Sequence, residues 1–341
     1  MSLIDIQKDT VSATDKGLVR ERNEDSCGLT ETPNGVLCTV CDGMGGHAGG
    51  EQASRIAVDC ITQFMSHELY ADVRGAMRDA LEFANMQILG AAAEHPELQG
   101  MGTTACILLV QDDKAWIAHA GDSRIYLYVA AEKRLHRLTK DHSYVQGLVD
   151  QGIIYEEEAE THPDKNRIVK ALGIRETLNP EVAENPILPA RDDIFLVCSD
   201  GLSGMVSDKE IEKILADKTD LKAKEAALME AAKAGGGTDN ITFQLARISH
   251  SPHRKSVYPR LAKFQKYGKS DTKTPVIRKI IILAAVVAAS ILAGIWIGKS
   301  GQTNPEKLTT PTDPTKIEIK NDSIPTNGSV PDNQNNPDYQ D

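Results

Sequence analysis

Positive charge is scarce over most of this 341-residue chain, and cysteine is missing beyond residue 198. Lys and Arg number 38 against 49 Asp and Glu, a net charge of −11, and the imbalance is uneven. Residues 1–250 carry −16, residues 251–279 carry +8, residues 280–298 carry no charge and residues 299–341 carry −3. Such acidity in the first segment excludes a nucleic-acid surface there and suits a protein that gathers dications. The N-terminus, Met1-Ser2-Leu3-Ile4-Asp5, lacks a basic start and a long apolar core, so no secretory signal is expected. Cys27, Cys38, Cys41, Cys60, Cys106 and Cys198 include several in apolar runs, where free thiols behave as small core residues. Cys38-x-x-Cys41 falls in an expected strand, whose residues three apart point to opposite faces, which argues against a redox pair. A reducing cytosol is the compartment this implies. Strict alternation of strands and helices is also missing, which speaks against a doubly wound parallel sheet.

What is present divides the chain into four parts. Residues 1–250 read as one α+β domain. Strand-like apolar content covers Gly35 to Cys41, Thr104 to Val110, Ala115 to Ala118, Ile125 to Val129, Ile194 to Cys198 and Ile241 to Ile248. Helical spacing covers Glu51 to Glu68, with Ile56, Cys60, Ile61 and Phe64 on one side, and Ala71 to Ala93, Lys209 to Leu215 and Lys222 to Ala234. Residues 251–279 form a basic linker. Residues 280–298 are nineteen uncharged, mostly apolar residues, which as a helix would extend about 28 Å, the depth of a bilayer core. The alternative is a buried core helix; the length and Trp296 near its end favour a membrane span. The tail, 299–341, is rich in Pro, Asn, Asp and Thr and is expected to be disordered.

Basic residues cluster before the apolar run, so positive charge places residues 1–279 in the cytoplasm and the tail outside, in a single-pass cell-membrane protein. The linker is expected to lie near anionic head groups.

Short acidic motifs carry the chemistry. Asp42 and Asp200 each follow an apolar run, at the end of an expected buried strand where the chain turns through Gly. Carboxylates gathered at strand ends repel one another, and a hard dication such as Mg²⁺ or Mn²⁺ relieves that repulsion. Any single Asp-Gly is a common turn. Asp122, in Gly121-Asp122-Ser123-Arg124 between two apolar strand-like runs, reads locally as the tip of a hairpin whose Arg124 pairs a surface acid. His47 either protonates a leaving group or merely packs or faces water. Gly43-x-Gly45-x-x-Ala48 also fits a loose dinucleotide fingerprint, but the preceding Asp and the missing βαβ order count against it.

Taken in order, Arg20-x-x-Asn23-Glu24-Asp25, Asp42-Gly43-x-Gly45-Gly46, Gly102-Thr103-Thr104, Gly121-Asp122-Ser123-Arg124, Ser199-Asp200-Gly201 and Asp239-Asn240 closely resemble the bacterial branch of the protein phosphatase 2C family, from about Asp15 to Ile248. These are metal-dependent Ser/Thr protein phosphatases. The resemblance implies two packed antiparallel sheets flanked by helices on both outer faces. It implies two core Mg²⁺ or Mn²⁺ ions, with Asp42 bridging both, the Gly43 carbonyl on one, and Asp200 and Asp239 on the other. Glu24 and Asp25 match carboxylates that hold metal-bound waters, Arg20 matches the residue that grips the substrate phosphate, and Asp122 matches the ligand of a third, weaker ion.

Met44 stands where eukaryotic relatives have His, His119 where relatives often have Asn, and Gly204 where many have a polar residue. His142 to Gly173 resembles the family's variable flap. The implied partners are phosphorylated proteins and a Ser/Thr protein kinase that the enzyme opposes. The competing class is a catalytically silent, membrane-tethered phosphoprotein-binding module; retention of Asp42, Asp200 and Asp239 argues against it.

Overall fold

The computed structural model describes residues 3–45, 49–259 and 264–265. Along the chain run β1 (Thr10–Asp15), β2 (Ser26–Thr32), β3 (Gly35–Cys41), β4 (Gly43–Met44), α1 (Gly49–His67), α2 (Val73–Glu94), β5 (Gly102–Thr103), β6 (Ala105–Gln111), β7 (Lys114–Ala120), β8 (Arg124–Val129) and β9 (Arg134–Arg137). There follow α3 (Tyr144–Asp150), α4 (Glu156–Ala159), β10 (Glu181–Ala183), β11 (Ile194–Cys198), α5 (Asp200–Ser203), α6 (Asp208–Ala216), α7 (Leu221–Ala234), β12 (Ile241–Arg247) and β13 (Phe264–Gln265). One large sheet has the order β1-β12-β11-β8-β9, the other β13-β10-β7-β6-β3-β2, and β4 and β5 form a small third, with every pairing antiparallel.

Side-chain alternation along each strand builds three apolar layers. Val36, Cys38 and Val40 of β3 meet Ile125, Leu127, Phe195 and Val197 between the two sheets. Leu37 and Cys41 face the other way, onto Ala53, Ala57 and Ile61 of α1 and Met77 and Leu81 of α2. Leu196, Cys198, Phe243 and Leu245 pack under Ile211 and Leu228 of α6 and α7. Helices therefore cover the outer faces of both sheets, as the resemblance implies. Cys38 and Cys41 sit in different layers and are free thiols.

Several helix ends are fixed by side chains. Asn34 donates to the carbonyls of Met65 and Glu68 at 2.7 Å, closing the end of α1. Asp72 and Asp220 accept from Gly75 and Ala223 at the starts of α2 and α7.

Packing continues past residue 250. Leu188 and Val257 form a backbone bridge, and Tyr258 hydrogen-bonds His136. Among the described residues no helix is long and apolar enough to cross a membrane. The expected span 280–298 and tail 299–341 lie outside the described residues.

Candidate metal centre

Strand registers gather the acidic motifs at one edge of the sandwich. Asp15 pairs Ile241, so the loop after β1, carrying Arg20 and Glu24, lies against Asp239 and Asn240 just before β12. Ser26 pairs Cys41, which sets Asp25 beside Asp42. Cys198 pairs Arg124, which sets Asp200 beside the Asp122 corner. Two glycines permit the crowding. A Cβ on Gly201 would lie 1.9 Å from the Asn240 carbonyl oxygen, and one on Gly43 would lie 2.2 Å from that of Gly50. Neither position can carry a side chain without opening the site.

Electrostatics here are strained. Burial, then Asp25, Asp200, Asp122 and Asp239, push the Asp42 carboxyl well above the carboxylate range. Burial pushes Asp25 up to about 7, against hydrogen bonds from Ser199 and Thr242. Asp122 is driven well up by burial and then by Asp200; Asp200 is raised by burial and then by Asp239. Glu24 is raised mainly by burial. Arg20 answers part of this charge, donating to Asp239 at 2.7 Å.

One oxygen each of Asp122 and Asp200 is buried and finds no hydrogen-bond donor among the described residues. A buried carboxylate oxygen without a donor is costly, and hard dications take such oxygens as ligands. The residues present therefore fit Mg²⁺ or Mn²⁺.

Support comes from groups that sequence reasoning quoted without giving a role. Thr104 accepts the Asp42 amide at 2.9 Å and meets the Ser123 hydroxyl at 2.7 Å, tying the Asp42 turn to the Asp122 corner. Thr103 donates to the Asp42 carbonyl at 2.8 Å. Ser199 donates to Asp25 at 2.8 Å. Asn240 accepts the Glu24 amide and donates to the carbonyls of Lys16 and Arg22, fastening the Arg20 loop. The cue in the sequence was that Ser123, Ser199 and Asn240 each adjoin an acidic residue; Thr103 and Thr104 adjoin none.

The hairpin reading of Asp122 does not hold. Residues 121–123 join β7 of one sheet to β8 of the other, and the partner of Arg124 is Asp141, whose side chain is only 11% exposed. His47, with Gly46 and Ala48, lies outside the described residues. A second group was not foreseen: ligand atoms of His119, His142 and Glu181 lie within 4.8 Å of one another beside the same corner.

Comparison with known proteins agrees with this fold. The sequence profile described as "Protein phosphatase 2C" matches residues 18–233. The chain is 37% identical over 239 residues to serine/threonine protein phosphatase PstP of Mycobacterium tuberculosis, covering 69% of this chain and 44% of that protein. The chain thus spans under half the length of that relative. It is 36% identical over 240 residues to serine/threonine phosphatase stp of Listeria welshimeri, covering 68% of this chain and 92% of that one. The crystal structure of the mycobacterial PstP superposes with a TM-score of 0.64 at 36% identity, covering 71% of this chain and 98% of that chain. The PstP catalytic domain in complex with two manganese ions superposes at 0.62 and 35% identity, over 71% and 98% of the two chains. By sequence and by fold, the chain belongs to the protein phosphatase 2C family.

Proposed function

We propose that this chain hydrolyses phosphoserine and phosphothreonine monoesters in proteins, using two Mg²⁺ or Mn²⁺ ions held at its buried carboxylates. The observation that carries the reading is the pair of donorless oxygens of Asp122 and Asp200, beside Asp42, with the carboxyls of these three pushed upward. Asp42, the Gly43 carbonyl, Asp200 and Asp239 would hold the core ions, with Glu24 and Asp25 supporting their waters and Asp122 holding a weaker third. When bound, the ions would make a water nucleophilic near neutral pH and would neutralise the phosphoryl charge.

The chain's own groups orient the reaction. Arg20 is half exposed at the mouth of the site. Its guanidinium suits a phosphate dianion through paired hydrogen bonds. The departing seryl or threonyl oxygen needs a proton, and His47 is the candidate donor.

Incubation with a phosphothreonine peptide and Mn²⁺ should release inorganic phosphate with multiple turnovers, and chelation should stop it. Retention of intact phosphopeptide without phosphate release would identify the silent binding module instead.

The membrane reading belongs with this proposal. Residues 280–298 anchor the chain, the basic linker holds the catalytic domain to the cytoplasmic face, and the substrates are those of a Ser/Thr kinase. Protease added outside intact cells should trim only the tail; digestion of the catalytic domain would refute that orientation.

A further inference from the structure

His142 holds Gly121, the neighbour of Asp122, with its amide and its ring, and holds Val169 with its carbonyl. Its amide donates to the Gly121 carbonyl at 2.9 Å, and the Gly121 amide donates back to its Nδ1 at 3.0 Å. Its carbonyl accepts from Val169 at 2.8 Å, on the returning limb of the excursion that runs from 142 to 173. Ser143 and Ile168 form a bridge beside it.

Because Nδ1 accepts, Nε2 carries the proton and donates to Glu181 Oε1 at 3.0 Å. Lys170 completes the chain. Its ammonium donates to the Asn179 carbonyl at 3.1 Å and lies 3.8 Å from Glu181 Oε1. It also lies 3.3 Å from His142 Nε2, but with Nε2 protonated this is proximity and not a bond. Behind the ring, His119 stacks on His142 with centroids 4.6 Å apart and planes within 3°. His119 and Glu181 are cross-strand partners of β7 and β10.

The corner turns at a glycine that is packed against Thr104. Gly121 has φ +112°, in the region open to glycine. Ser123 ties one side of the corner to Thr104, and His142 holds the Gly121 side.

We infer that His142, braced by Glu181 and Lys170, is the positioning residue that fixes the Gly121–Asp122 corner and ties it to the returning limb of the 142–173 excursion. This rests on the reading that Asp122 holds a weaker third ion. A transition metal at His119, His142 and Glu181 is the competing use of the cluster. Against it, both nitrogens of His142 are already committed and Lys170 already supplies cationic charge to Glu181.

The test is Mn²⁺ calorimetry on the full chain, with hydrogen exchange of the metal-free protein. His142→Ala should weaken the ion that Asp122→Ala removes by about tenfold, the usual effect of losing a supporting group, and leave the two core ions within about twofold of wild type. In the same variant, without metal, the Gly121 amide should exchange faster while the Thr104 amide, bonded to the Asp42 carbonyl, stays protected. His142→Asn, whose Oδ1 can stand where Nδ1 does, should restore both.

Unchanged weak-ion affinity and Gly121 exchange in His142→Ala would overturn the role. So would loss of all ions together with Thr104 protection, which marks a general structural defect. So would stoichiometric Zn²⁺ binding abolished alike by His119→Ala, His142→Ala and Glu181→Gln. If Asp122→Ala itself loses no ion, the Asp122 reading has failed and the inference fails with it. If Asp122→Ala loses the weak ion and His142→Ala keeps it, only the positioning role has failed.

Discussion

Asp200→Asn should cut turnover of a phosphothreonine peptide by at least about a thousandfold, the scale expected when an ion worth several kcal/mol to the transition state is lost. The substitution keeps size and shape. The close approach of Gly201 to the Asn240 carbonyl, which builds the turn, is untouched. Fold should survive for a further reason. Asp200 is raised by burial and by the charge of Asp239, and Asp42 is within hydrogen-bond reach. A neutral amide removes the repulsion and supplies a donor, so the metal-free variant should unfold no earlier than metal-free wild type. Asp239→Asn should behave alike in activity, and it also strips Arg20 of its ionic partner. Thermal unfolding in chelator beside steady-state kinetics at saturating Mn²⁺ separates the effects. Near-normal turnover in either variant would refute the ligand assignment.

Much of the fold was legible because both sheets are covered on both faces, which makes their central strands continuous apolar runs. Gly35–Cys41 and Ile194–Cys198 coincide with β3 and β11. The long helices were found within two residues at each end, since α1 and α2 lay one side on the same core. The edge strands β1 and β2 and the short β10 were not legible. Thr10–Asp15 and Ser26–Thr32 are mostly polar and half exposed, and only pairing with β12 and β3 makes them strands. Glu181–Ala183 is too short to show a period.

The acidic residues of the site were legible as motifs, because chemistry restricts which residue types serve. Their polar supports were not, because a threonine or serine gains its role from a contact some sixty or more residues away, as Thr104 does with Asp42 and Ser199 with Asp25. The pairing of Arg124 with buried Asp141 rather than a surface acid has the same origin. The corner joins two sheets, which local turn chemistry cannot reveal.

Divalent metal should stabilise the chain, and by more as pH rises. In the metal-free protein Asp42, Asp122, Asp200 and Asp25 are all held above the ordinary carboxylate value, Asp25 at about 7. A carboxyl whose folded value is raised contributes stability that is complete below its unfolded value and is lost as pH climbs through the folded one. Metal-free stability from this cluster therefore falls from about pH 4 upward. His119 acts in the opposite direction. Burial, then His142, lowers it to about 3, so its contribution is complete above its ordinary value of 6.5 and is lost as pH falls. Between pH 6.5 and 8 the carboxyls are left to decide the slope. There Mn²⁺ at a hundredfold excess over its dissociation constants should add about 5 kcal/mol for two ions, a rise in melting temperature of about ten degrees or more.

Ions that enter such a cluster must displace its protons. Calorimetric titration with Mn²⁺ near pH 6.5, in two buffers of different ionisation enthalpy, measures that displacement. Two core ions should bind with net release of protons, and Asp42→Asn should abolish both the binding and the release. Mn²⁺ that binds without proton release, or that binds Asp42→Asn as tightly as wild type, would contradict a metal centre at these carboxylates.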